Sequence, residues 1–283
     1  MTKLNVVLGD YPHTRPVRES LDADYNFPQV TPLYSAFARM VRNLEYDICE
    51  MALATYFQAR EAGVPITLIP VVLVGGTHHK SLTRLPDGPR LGPRDLVGRR
   101  VGVRSYSQTT GLWVRGILRE DYGVESSQVT WVTTEEPHVA SYREPANVQR
   151  GAAATVGELL RGGEVDAAVL GPRAIGGQGE GLVPLVEDAE AAANAWVERH
   201  GTVPINHTLV VRDDVCRSDP DAVLALYRAL KATIPDAGWT DSFAACLEIA
   251  GRYALEQELV RTPVDVGAIE KSAAVFERQS NDG

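Results

Sequence analysis

The stretch VGGTHHKSLTRL, Val74 to Leu85, places His78, His79, Lys80, Ser81 and Arg84 just after the apolar run ITLIPVV. Metal ligation, an anion cradle and a solvated turn all fit such a cluster. Adjacent histidines on an extended chain point to opposite faces, and a zinc site takes three or four ligands. His13, His138 or His207 would have to join from distant segments, so no metal is expected. The anion cradle has more behind it. Lys80, flanked by His79 and Ser81, carries a point charge with three donors, and like charges make an ammonium easier to deprotonate. A lysine set beside an arginine can then donate a proton or attack a carbonyl.

Other groups suit the same chemistry. Arginine grips carboxylates through a planar fork of donors. Arg15 follows KLNVVLG, Arg173 follows VDAAVLG, and Arg115 lies within GLWVRGILRE. Ligands gather at the carboxyl ends of parallel strands, which favours Arg15 and Arg173. The stretch SYSQTT, Ser105 to Thr110, leads into a helical pattern. A helix start offers free N–H groups and a positive dipole end, so Tyr106, Gln108 and Thr109 become candidate carboxylate contacts. His207, in PINH, can exchange a proton near neutral pH. Glu50, in CEM, can orient such a base or bond a ligand hydroxyl. His207 and Lys80 are the candidate proton donors.

These residues need elements to position them. KLNVVLG, YDICEM and ITLIPVVLV read as strands, with helical patterns in TPLYSAFARMVRNLEY and ALATYFQAREAG between them. Thr31 and Pro32 read as N-cap and first helical residue, and Gly63 as a helix stop. The third strand lacks alternation, as expected when both faces are covered. A proline- and glycine-rich stretch, PDGPRLGPRDLVG, precedes a second α/β run with strands RRVGVRS, QVTWVTT, VDAAVLG and LVPLVED. HTLVVRDD is a last strand, and the chain from Pro220 reads as helices. The expectation is two lobes around a cleft: residues 1–84 plus 208–283 in one, 85–207 in the other. Small ligands favour such interfaces.

Composition narrows the partners. The 283 residues carry a net charge of −9, which disfavours phosphate backbones and anionic membranes. Cys49, Cys216 and Cys246 are far apart, so neither disulfides nor a structural zinc site is expected. The first residues lack the apolar core of an export signal, and no window reaches the ~20 apolar residues of a membrane span. A cytoplasmic location follows as an expectation. The tail helices offer a surface on which two copies could pair as a homodimer.

Several segments together resemble the 4,5-dihydroxyphthalate decarboxylase family. They are GDYPHTRP, YDICEMALATYFQAR, YSQTTGLWVRGILREDYGV, EVDAAVLGPRA and GTVPINHTLVV. The likeness covers most of the chain to about Asp214. It implies an α/β, two-lobed type 2 periplasmic-binding-protein-like fold with a central inter-lobe cleft and a helical C-terminal tail. It also implies an enzyme that removes carbon dioxide from an aromatic or heteroaromatic dicarboxylate with no cofactor. Lys80 stands where the family carries a histidine. A non-catalytic cytoplasmic binding protein for a small carboxylate, or another enzyme on the same fold, are the rival readings.

Overall fold

The computed structural model describes residues 3–171, 177 and 179–280. In chain order the first elements are β1 (Leu4–Val7), α1 (Arg15–Leu21), β2 (Tyr25–Asn26), α2 (Ser35–Asn43), β3 (Ile48–Ala52), α3 (Leu53–Glu61) and β4 (Ile66–Gly75). A single 3-10 turn, His79–Ser81, leads to β5 (Leu82–Arg84), β6 (Arg100–Val103), α4 (Thr109–Tyr122), β7 (Thr130–Thr133), β8 (Val148–Arg150), α5 (Val156–Arg161), β9 (Ala167–Val169) and β10 (Val183–Pro184). Then come α6 (Ala189–His200), β11 (Ile205–Arg212), α7 (Asp213–Ser218), α8 (Pro220–Thr233), α9 (Asp241–Glu256) and α10 (Val266–Ser280).

The strands form two sheets, ordered β2-β1-β3-β11-β4 and β10-β5-β9-β6-β7-β8. β11 returns from the second lobe and inserts antiparallel between β3 and β4. Strands β1, β2 and β3 run parallel to one another, as do β6 through β9 in the second sheet. The crossings between sheets lie at 76–81 and 185–204. The expected boundary after residue 84 therefore moves: Leu82 and Thr83 pair with Val169 and Ala168, so β5 already belongs to the second sheet.

Both faces of the first sheet are covered, which explains its unbroken apolar runs. Ile48, Ile69, Val71, Leu209 and Val211 pack with Tyr227 and Phe276 of α8 and α10. Cys49, Met51, Leu68 and Val210 point the other way, onto Phe37, Met40 and Phe57 of α2 and α3. That second core continues into the other lobe through Val101, Val103, Leu112 and Trp113. Among the described residues no helix is long and apolar enough to cross a membrane.

Three local expectations change. The second helix begins at Ser35, not at Pro32. The seven-residue α1 occupies part of what reads as a polar turn, because it buries only Val17 and so shows no apolar stripe. The expected strand LVPLVED shrinks to Val183–Pro184.

α4 carries the lobe junction. It ends at Gly123 in the left-handed region (φ 70°), whose N–H bonds the Arg119 and Leu118 carbonyls. Its inner face meets α9 so closely that a β-carbon at Gly116 would collide with the Tyr253 ring. Gly116→Ala is expected to destabilise the fold by about 1–3 kcal/mol through overpacking, measured as a lower urea midpoint with an unchanged slope.

Candidate active site at the lobe junction

Glu50 sits mid-strand in β3 and is fully buried. A buried carboxylate is costly unless its lone pairs are met, and here they are. Oε2 accepts the Gly9 N–H at 2.8 Å, and Oε1 accepts the Tyr11 hydroxyl at 2.6 Å. The third partner is the His207 ring, whose Nδ1 lies 2.6 Å from Oε1. Strand register makes this pair: Leu209 is the direct partner of Glu50, and His207 lies two residues before it. The two side chains are thus diagonal neighbours on one sheet face. With its carboxylate partner at Nδ1, His207 has Nε2 left for chemistry, and its side chain keeps 24% of its surface exposed.

The second lobe sends the 134–142 loop across to this pair. The Phe37 ring stands edge-on to His207 (5.2 Å) and to His138 (5.7 Å), which arrives on the 134–142 loop. His138 Nδ1 meets Thr55 Oγ1 of α3 at 2.9 Å. Burial, with Arg104, Arg42 and His207 nearby, lowers the His138 pKa to about 3, so this imidazole is neutral at ordinary pH. Arg42 of α2 holds the loop by donating to the Pro137 and His138 carbonyls, both at 2.7 Å. Arg104 lies 3.9 Å over the Tyr34 ring and pairs with Glu135.

Two helix starts meet at this junction. The Ala54 N–H in the first turn of α3 donates to Thr109 Oγ1 in the first turn of α4, at 3.1 Å. Neither helix has a side-chain cap from its own N-cap residue, Ala52 or Gln108. The first N–H groups of a helix lack intrahelical partners and mark its positive end, so two such ends converge beside His207.

The structure separates the sequence candidates. It brings Glu50, His207, Thr109 and Gln108 to the junction; the Gln108 amide and Thr110 hydroxyl lie against Gly171. It does not bring Lys80 or Arg15 there. Lys80 is 60% exposed and paired with Glu190 of α6, because the 3-10 turn after β4 aims it outward. Arg15 is 58% exposed and grips Asp10 through Nε and Nη2. His79 is buried against Asp121 at the far end of α4, and Ser81 is buried where its carbonyl accepts the Leu170 N–H. His78 lies near Asn206, its pKa lowered to about 3 by burial.

Arg115 and Tyr106 both make contacts within the protein. Arg115 is fully buried, donating to Gln257 Oε1 and the Tyr106 carbonyl (both 2.7 Å) and lying 4.0 Å over the Tyr106 ring. The Tyr106 hydroxyl meets the Gln257 carbonyl and Ser126. Both side chains tie α4 to the end of α9, and Arg115 Nη1 is buried without a partner. Arg173 lies outside the described residues. Tyr11, His138, Thr55 and Phe37 were missed by the sequence reading. Tyr11 lies within GDYPHTRP, but no spacing rule links it to Glu50.

Taken together, two lobes with an imidazole–carboxylate pair at their junction make a candidate acid–base site. Solved structures agree on the fold. A mutant of DSZB in complex with biphenyl-2-sulfinic acid superposes with TM-score 0.57 at 17% identity, covering 99% of each chain. The alkanesulfonate-binding protein SsuA from Xanthomonas axonopodis pv. citri, bound to MOPS, gives 0.56 at 11% identity over 97% of this chain and 84% of that one. The fold is the two-lobed, type 2 periplasmic-binding-protein-like one.

Sequence relatives take the assignment further. A 4,5-dihydroxyphthalate decarboxylase of Comamonas testosteroni is 32% identical over 253 residues, 81% of this chain and 74% of that protein. A Pseudomonas putida protein of the same name is 33% identical over 216 residues, 69% and 82% respectively. The chain belongs to the 4,5-dihydroxyphthalate decarboxylase family of carboxy-lyases. No family model matches the chain.

Glu50→Gln puts an amide N–H₂ against one of three donors. It is expected to lower unfolding free energy by about 1–3 kcal/mol, whereas Lys80→Ala should stay within about 0.5 kcal/mol. Chemical denaturation of both variants reads the difference.

Proposed function

We propose that this chain decarboxylates an aromatic or heteroaromatic dicarboxylate bound between its lobes, with His207 as proton donor. The observation that carries this reading is the His207–Glu50 pair set beside the converging starts of α3 and α4. An acid–base group is thus combined with a place for negative charge.

The chemistry follows from those parts. Carbon dioxide leaves an aromatic ring as its carbon accepts a proton, so the carbon bearing the departing carboxylate must first gain one. His207, protonated on Nε2, delivers that proton. Glu50 at Nδ1 stabilises the imidazolium and holds the ring in place, as an orienting carboxylate does for other general acids. The C–C bond then breaks, and its electron pair restores the aromatic ring. The net change is one proton taken up and one carbon dioxide released. The remaining carboxylate is held by backbone N–H groups at the helix starts, where water is excluded and fixed dipoles act strongly. Dihydroxyphthalate is the acid that the names of the relatives suggest. The free thiols of Cys49, Cys216 and Cys246 suit action in the cytoplasm.

Incubation with a panel of aromatic and heteroaromatic diacids, followed by mass spectrometry, tests the reading. At least one acid should lose 44 mass units, the mass of carbon dioxide. General acid catalysis contributes about 10²–10⁴-fold, so His207→Ala should cut that rate at least a hundredfold while Lys80→Ala stays near wild type. Full activity in His207→Ala would overturn the assignment, and acids recovered unchanged throughout would favour a binding protein instead.

A further inference from the structure

We propose that His138 is a substrate-binding residue of this site: carried by lobe 2 to the first turn of α3, it donates a hydrogen bond from Nε2 to the bound acid when the lobes are closed. The inference rests on the reading of the junction as the acid site and names a group that reading leaves unused.

Geometry comes first. Thr55 is the third residue of α3, so its hydroxyl lies at the positive end of that helix. His138 Nδ1 meets this hydroxyl at 2.9 Å. A hydroxyl that donates to Nδ1 leaves the imidazole proton on Nε2. Nε2 has no hydrogen-bond partner among the described residues, although His138 is only 8% exposed. Nε2 is not among the enclosed polar atoms, so its proton is open to a guest, and a carboxylate or ring oxygen would accept it.

The surrounding groups fix the charge state. Arg42 from α2, Arg104 from the end of β6 and His207 from β11 all disfavour a proton on both nitrogens, in addition to burial. His138 is therefore a neutral donor. It also has donor capacity to spare where its neighbours have less. Arg42 donates to the two loop carbonyls, and Arg104 is paired with Glu135.

The placement depends on closure. His138 belongs to the 134–142 loop, yet its backbone is held by Arg42, its ring by Phe37 and its nitrogen by Thr55, all from lobe 1. Opening the lobes would withdraw it from α3. His207 stays with Glu50 in either state, since both lie in the first sheet. The proton donor is thus built into one lobe, and this recognition group is delivered by the other.

The test has two readouts. Nitrogen-15 NMR of histidine-labelled protein at pH 7 should show His138 as the Nε2–H tautomer, with no titration down to pH 5. Thr55→Val should shift that tautomer balance. Phthalate, a dicarboxylate without ring hydroxyls, is the binding probe. His138→Phe, which keeps an aromatic ring on Phe37, should raise the phthalate Kd about tenfold or more, the loss of one charge-assisted hydrogen bond. His138→Gln, which keeps a donor, should recover part of that loss. A pure Nδ1–H tautomer in the wild-type protein, or an unchanged Kd in a folded His138→Phe variant, would overturn the inference. If His138→Phe does not fold, the wild-type tautomer decides. Weakened phthalate binding in a protein that decarboxylates nothing would instead remove the proposed reaction and leave His138 as a binding residue.

Discussion

A single carboxylate organises this molecule. Glu50 has no exposed surface, and it joins the turn after β1 (Gly9 and Tyr11) to the returning strand β11 (His207). Its burial is tolerable only because three donors converge on it. Those donors can converge only if β11 inserts beside β3 in the observed register. The topology that sends the chain into a second lobe and back is therefore the same feature that sets the imidazole on its carboxylate. Folding and chemistry share one constraint.

The second lobe contributes direction. α4 points its start at α3, and the Thr109–Ala54 bond records how close the two positive ends come. Arg115 helps hold α4 at that angle from behind, stacked on Tyr106 and bonded to Gln257. Trp113 adds a tie of its own, donating to the Ile205 carbonyl where β11 enters the first sheet. A residue can thus belong to the most recognisable stretch of a family and serve it by rigidity.

Much of the fold was legible in the sequence, for a physical reason. β3, β4, β6, β9 and β11 are covered on both faces or run through the core, so they appear as apolar runs. Glu50 and His207 can be named because a carboxylate and an imidazole are unusual in such runs. Their contact could not, because it depends on a register between residues 157 positions apart. Lys80 misled for a local reason: a 3-10 turn after β4 aims it at solvent, and short turns leave no periodic trace. Arg15 follows a strand, where ligands gather, but the neighbouring Asp10 satisfies its fork at the surface. His138 was invisible as a site residue, since it sits in a polar loop whose docking is set by Arg42 far away in the chain.

On the proposed reading, the guest's negative charge meets the starts of α3 and α4 while its ring faces His207. A crystal structure of the chain with phthalate bound tests this most directly. One carboxylate is expected within hydrogen-bonding distance of first-turn N–H groups of α3 or α4, with the ring in contact with His207. Phthalate seated instead on the outer surface beside Asp10 and Arg15, or against Lys80 and Glu190, with the lobe junction unoccupied, would contradict it.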